Sequence, residues 1–148
     1  MLTQRLYALT AAALMMLSLG THAAEPGPNM SAPEAFALVE AGKMTLIDIR
    51  RPEEWRQTNV AQNARRINME HPEGLLAFLR QIALEVKGDG NALIGLICRT
   101  GNRTTQIQKV MQEVGFTNVY NIKEGMVGSA AGPGWIARGL PTEPCPTC

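Results

Sequence analysis

Ala92-Leu93-Ile94-Gly95-Leu96-Ile97-Cys98-Arg99-Thr100-Gly101-Asn102-Arg103-Thr104 joins three unlike segments: six apolar residues, a cysteine, and a short glycine-containing loop that opens a helical pattern. The apolar run reads as a buried strand, because it lacks the period-two alternation of a half-exposed one. From Thr104 to Val114 the apolar positions Ile107, Val110, Met111 and Val114 fall on one helical side, and Gly115 suits the C′ position. Cys98 therefore ends a strand and faces a helix start. A tight loop there can aim several N–H groups at one sulfur, and the helix N-terminus adds partial positive charge. Arg99 and Arg103 add full charges. Together these favour the thiolate near neutral pH and single out Cys98 as a nucleophile.

The segments on either side repeat the strand–helix alternation. Ser31 and Glu34 form a capping-box pattern with Pro33 in the first turn, and the helix they open ends near Gly42. Met44 to Ile49 reads as a strand closed by Asp48 and Arg50, and Pro52-Glu53-Glu54-Trp55 starts a short helix. Ile67 to Met69 is a short strand. Pro72 to Val86 carries a helical stripe of Leu75, Leu76, Leu79, Ile82, Ala83 and Val86, broken by Gly88-Asp89-Gly90. Asn118 to Ile122 is a further strand, followed by a glycine-rich segment from Gly125 to Gly134. Apolar strands alternating with helices imply an α/β fold with a parallel sheet covered on both faces. Ligands in such folds sit beyond the carboxyl ends of the strands, where Arg50, Cys98 and Lys123 all fall.

The chain of 148 residues amounts to one domain. Arg5, the apolar run Leu6 to Leu19 and Thr21-His22-Ala23-Ala24 read as a secretory signal peptide cut after Ala23. About 14 apolar residues are too few to span a bilayer comfortably. This divides the chain into a signal peptide (1–23), a linker with Pro26 and Pro28 (24–30), a domain (31–141) and a tail (142–148). It also places the mature protein in the periplasm or outside the cell, with no membrane partner after cleavage. Losing Arg5 balances basic against acidic side chains, which argues against nucleic acid as a partner. Only three cysteines are present, and Cys145-Pro146-Thr147-Cys148 forms a C-x-x-C. In an oxidising compartment the simplest pairing joins those two and leaves Cys98 free.

The loop from Cys98 to Thr104 resembles the active-site loop of the rhodanese (sulfurtransferase) family. Leu46-Ile47-Asp48-Ile49-Arg50 followed by Glu54-Trp55 resembles that family's strand and acidic-aromatic helix start. Asn121-Ile122 with Glu124-Gly125, then Trp135 and Gly139-Leu140-Pro141, resembles its closing segment. The resemblance implies a three-layer domain with a five-stranded parallel sheet flanked by helices. It also implies that Cys98 takes a sulfane sulfur from thiosulfate or a similar small anion as a persulfide, and passes it to cyanide or a thiol. A protein thiol belongs among the candidate acceptors. The amides of Arg99, Thr100, Gly101, Asn102, Arg103 and Thr104 would cradle the terminal sulfur, an oxyanion-hole arrangement applied to sulfur. Gly101 would permit the tight turn and Arg103 would neutralise charge at the helix start. Arg99 would bind the donor's sulfonate oxygens or point to solvent. No cofactor or metal is implied. Where the family usually has glycines before its third strand, Asn59 and Asn63 stand instead, and Asn also tolerates left-handed geometry.

Other groups invite roles. Asp48, Arg50 and Glu54 read as a structural set, with an Arg50–Glu54 ion pair fixing the strand-to-helix turn and Asp48 holding nearby backbone. His71 is the one histidine after the cleavage site and allows a Cys–His dyad in composition alone. A single histidine without paired C-x-x-C motifs argues against structural zinc. Trp55 and Trp135 read as core or lid packing. Gly125 to Gly134 reads as a mobile rim over the Cys98 loop. Three rival functions are a phosphatase, a non-catalytic persulfide carrier, and a thiol–disulfide oxidoreductase using Cys145 and Cys148. Phosphatase loops place five residues between cysteine and arginine, whereas four lie between Cys98 and Arg103. The C-x-x-C closes the sequence instead of opening a helix, which favours a local disulfide or loose thiols on a frayed tail.

Overall fold

The structure is a computed structural model and describes residues 27–148. The signal-peptide reading of residues 1–23 and the start of the linker lie outside the described residues. The order of elements is α1 (Ala32–Glu40), β1 (Thr45–Asp48), α2 (Pro52–Thr58), β2 (Val60–Ala61), β3 (Arg65–Arg66), α3 (Leu75–Glu85), β4 (Ile94–Ile97), α4 (Asn102–Glu113), β5 (Val119–Asn121) and β6 (Thr142–Glu143). Strands β3-β1-β4-β5 form a parallel sheet in that order. The expected fifth strand is reduced to a single parallel bridge, Asn29 with Asn121, at the β5 edge. It stays that short because Pro28 supplies only a carbonyl there; Asn121 N donates to it and Met30 N returns a bond to Asn121 O. The end of the linker is thus docked on the sheet.

Alternation along the strands sorts their side chains into two layers. Ile47, Ile94 and Leu96 face α3 and α4, meeting Phe78, Ile82, Ile107 and Met111. Leu46 and Ile97 face the other way, onto Ala32, Ala35 and Val39 of α1 and onto Met126 and Trp135. Each such fully buried aliphatic side chain contributes about 1.5–3 kcal/mol relative to exposure. Both tryptophans are core residues, Trp135 in this layer and Trp55 in a small third cluster with Val60 and Cys145.

Local signals act as the sequence implies at most element ends. Ser31 and Glu34 form the capping box of α1, and Gly115 takes a positive φ just past α4. Asn59 and Asn63 both adopt positive φ, at 61° and 62°. The α3 stripe departs from expectation. The helix starts at Leu75 and buries Phe78 with Ile82, while Leu75 and Leu76 are exposed, Leu76 at 70 %. Phe78 offers more apolar area than either leucine, so the helix rolls to bury it. The short strand expected at Ile67–Met69 pairs two residues earlier, at Arg65–Arg66, although Ile67 N and Met69 N still donate to Asp48 O and Ile49 O. No described helix is long and apolar enough to cross a membrane.

Candidate active site

Cys98 lies one residue beyond β4, at the carboxyl edge of the sheet, and its side chain is buried at 1 % exposure. Gly101 N donates to its sulfur at 3.2 Å, and Thr104 Oγ1 lies 3.5 Å from it. The amides of Asn102, Arg103 and Thr104 open α4, and among the described residues none has a main-chain acceptor. Such unmet donors at a helix start are an anion-binding feature, and here they adjoin a thiol. Gly101 is required by both conformation and space: its φ is 85°, and a Cβ there would sit 2.1 Å from Lys123 O.

The back of the loop is held by the segment that follows β5. Met126 N donates to Cys98 O at 2.9 Å and Val127 N to Arg99 O at 3.1 Å. Gly125 permits this approach, since a Cβ would meet Arg99 O at 2.3 Å. Glu124 anchors the same segment. Its buried carboxylate accepts from Ala32 N, Gly134 N and Arg138 Nε at 2.7 to 2.9 Å. Burial pushes its pKa up, but the Arg138 side chain and the two amides outweigh that and hold it below the ordinary value. The segment expected to form a rim is anchored at its two ends, where Gly125, Met126 and Gly134 are buried, while Val127 and Ser129 to Ala131 between them are exposed and a bridge between Ser129 and Gly132 closes the tip.

The charged residues pair differently from expectation. Arg50 is buried against Asp48, with Nη2 2.7 Å from Oδ2 and Nε 2.9 Å from Oδ1. Nη1 donates to Thr58 Oγ1 and Nη2 also donates to the Asn59 carbonyl, tying the end of β1 to the end of α2. Toward Glu54 it donates only to the main-chain oxygen, at 3.3 Å. The Glu54 carboxylate instead receives both terminal nitrogens of Arg103, at 2.6 and 2.7 Å. Residues two apart at a strand end can share a bidentate contact, whereas the first turn of α2 turns Glu54 outward toward α4.

Burial raises the Glu54 pKa, yet the Arg103 side chain, the Arg51 amide and nearby positive charge draw it down to about 2. Arg103 in turn is held above its ordinary value, chiefly by its paired contact with the Glu54 carboxylate. Arg51 and Glu70 form a second, exposed pair beside this one.

The structure brings together Cys98, Gly101, Arg103 and Thr104 at the start of α4. Thr100 is partly buried, while Arg99 and Asn102 are exposed on the rim of the loop, where Arg99 makes no side-chain bond among the described residues. His71 uses its Nδ1 to accept from Glu73 N and makes no bond to the Cys98 loop. Glu54, Glu124 and Met126 are the components that loop reading alone does not single out. Among the described residues no cluster has the composition of a metal site.

A parallel three-layer α/β domain that presents a buried thiol to an open helix start defines a class of cysteine-loop proteins acting on small anions or single sulfur atoms. Residues 31–131, more than half of the chain, match the rhodanese-like domain, and the chain belongs to that family. Sulfur transfer is its family-level activity. The fold also matches the crystal structure of Rv0390 from M. tuberculosis, with 25 % identity and a TM-score of 0.60 over 80 % of this chain and 98 % of that one. The polysulfide-sulfur transferase homodimer of Wolinella succinogenes matches with 26 % identity and a TM-score of 0.61, covering 81 % of this chain and 80 % of that one. An uncharacterised protein of Rickettsia conorii is 25 % identical over 125 residues, 78 % of this chain and 96 % of its own.

Proposed function

We propose that the protein moves a sulfane sulfur from thiosulfate or a similar small anionic donor to a thiophilic acceptor, through a persulfide on Cys98. The buried Cys98 sulfur beside the Gly101 amide and the unmet amides of α4 is the observation that carries this reading. The likeness to the Wolinella polysulfide-sulfur transferase supports a sulfane donor. In the first half-reaction the Cys98 thiolate attacks the donor's outer sulfur. The donor S–S bond breaks, its electron pair leaves with sulfite, and Cys98 carries a persulfide. In the second half-reaction cyanide or a thiolate attacks that outer sulfur, and the electron pair of the persulfide bond returns to Cys98. Neither step needs a general base, and among the described residues only the Gly101 amide and the Thr104 hydroxyl lie within bonding distance of the sulfur.

The amides of Asn102 to Thr104 receive the outer sulfur's charge, and Arg103, steadied by Glu54, offsets it from the side. Arg99, exposed at the rim, receives the donor's sulfonate oxygens. Burial of Cys98 limits the reacting partner to a small anion or the tip of a thiol. Four residues between Cys98 and Arg103 suit one sulfur atom better than a phosphate, so the phosphatase reading is set aside. A solved structure from Rhodopseudomonas palustris described as a possible tyrosine phosphatase, at 21 % identity, shares the fold. Export by the amino-terminal segment, with action on periplasmic or extracellular sulfur compounds, completes the reading.

Intact-mass analysis after incubation with thiosulfate tests it. One added sulfur atom, removed again by cyanide, is the expected result. No mass gain, or a gain that persists in Cys98→Ser, refutes it.

A further inference from the structure

The two other cysteines are bonded to each other, with Cα atoms 5.4 Å apart, and the segment that carries them is not frayed. Thr142 and Glu143 pair antiparallel with Val60 and Ala61, and Cys145 packs at 5 % exposure against Trp55 and Val60. Cys148 is more open. Only Pro146 and Thr147 separate the two, so as a staple the bond closes a very short loop and removes little chain entropy from the unfolded state. Its surroundings fit chemistry better than reinforcement. Arg66 Nη1 lies 2.7 Å from Cys145 Sγ and 3.6 Å from Cys148 Sγ. Among the described residues ion pairs engage Arg50, Arg51, Arg65, Arg103 and Arg138 but not Arg66, so its charge is not spent on a carboxylate. Arg56 binds the Cys148 main-chain oxygen, and Trp55 Nε1, buried in the same cluster, has no partner among the described residues. A polar cleft of about 210 Å³, lined by Val60, Asn63, Ala64, Arg65, Arg66 and Glu143, adjoins Arg66.

We propose that Cys145–Cys148 is a second, redox-active site that exchanges two electrons with a dithiol, independently of Cys98. A neutral disulfide gains little from a guanidinium, whereas a thiolate gains a charge-assisted contact. The step follows from the asymmetry of the pair. A thiolate of the dithiol attacks the more open sulfur, Cys148 Sγ. The protein S–S bond breaks, and its electron pair goes to Cys145 Sγ as a thiolate beside Arg66. The dithiol's second thiolate then attacks its own sulfur in the mixed disulfide and releases Cys148. The protein is reduced by two electrons, the dithiol leaves as a cyclic disulfide, and protons follow each thiolate according to pH. A lower-pKa leaving thiol departs faster, so Arg66 assists the first step as well as the reduced state.

The test uses the full chain with Cys98→Ser, so that its outcome does not depend on sulfur transfer. The protein is exposed to dithiothreitol, and separately to buffers of reduced and oxidised glutathione, then quenched, alkylated and weighed. Near-ultraviolet circular dichroism reports whether the fold persists. Expected are reduction of the pair with the fold intact, and an Arg66→Ala equilibrium displaced about tenfold toward the disulfide, ~30 mV for a two-electron couple. Arg66→Lys should fall between. Reduction only on unfolding, or an equilibrium unmoved in Arg66→Ala, overturns the proposal and leaves the bond a local staple.

Discussion

Cys98 and Cys145 are both buried sulfurs beside a positive charge, but they are supported by different kinds of structure. At Cys98 the nearest donor is a main-chain amide, fixed by the Gly101 turn and the start of α4. At Cys145 it is the end of a long side chain, Arg66 Nη1. Backbone donors cannot follow a sulfur that moves, so the Cys98 cradle suits one charge in one place. A guanidinium on a flexible stem can track a sulfur through bond breakage and re-formation. The difference teaches that a backbone cradle fixes charge at one position whereas a side-chain donor adjusts to its sulfur, which are the properties the proposed transfer at Cys98 and the proposed exchange at Cys145–Cys148 would respectively use.

The sharpest way to break this comparison is Cys98→Ser. Sulfur loading from thiosulfate should vanish in intact-mass measurements while the Cys145–Cys148 bond still forms; a variant that still loads would dissolve the distinction between the two centres. Next comes the rigidity of the cradle. Gly101→Ala places a methyl group against Lys123 O and an L-residue at positive φ, and should cost about 2–4 kcal/mol in urea unfolding, with loading impaired in the folded fraction. A neutral result would show that the loop gives as readily as a side chain.

Removing the charge beside the cradle should matter less. Arg103→Ala should slow persulfide formation and iodoacetamide alkylation at neutral pH by roughly tenfold, and Arg103→Lys should keep part of the rate, since a charge without the fork still screens the sulfur. The smallest effect belongs to Glu54. Its folded pKa, about 2, lies below the ordinary 4.5, so its stabilisation is fully present above pH 4.5 and is lost as the pH falls through about 2. Wild type should therefore lose stability across that window. Glu54→Gln should show a flatter profile there, the two curves converging toward pH 2 in thermal melts. Parallel curves would mean that the Glu54–Arg103 pair contributes nothing to the fold.

Much of the molecule is legible from local sequence because its signals are local. The Ser31–Glu34 box, the turns at Asn59 and Asn63, and the strand–cysteine–helix order around Cys98 each depend on residues within a few positions of one another. What escapes such reading depends on distant partners. Glu54 and Arg103 are far apart in sequence, and nothing in the spacing of Arg50 and Glu54 reveals that β1 and α2 will turn them to different partners. The α3 stripe fails for a related reason. Helical spacing gives the width of an apolar face but not which of two overlapping faces meets the sheet, and Phe78 decides that only once the sheet is present. The pairing of Cys145 with Cys148, which leaves Cys98 free, is legible from their spacing, but the docking of the tail is not, because β6 has no apolar pattern of its own and exists only by pairing with β2.

The two bonds from Met126 and Val127 to the carbonyls of Cys98 and Arg99 have a consequence for protein engineering. In a trans peptide the N–H points opposite to the carbonyl that precedes it. Holding those two oxygens from behind therefore turns the amides of Arg99 and Thr100 toward the opposite side of the loop. Residues 125–127 act as a mould for the Cys98 turn, and the tip closed by Ser129 and Gly132 is tied back by Ser129 Oγ to Lys123 O, with only Ala130 and Ala131 projecting from it into solvent. A reporter peptide or a recognition loop grafted between Ser129 and Gly132 would leave the mould intact, whereas a single inserted residue before Val127 would recast the turn.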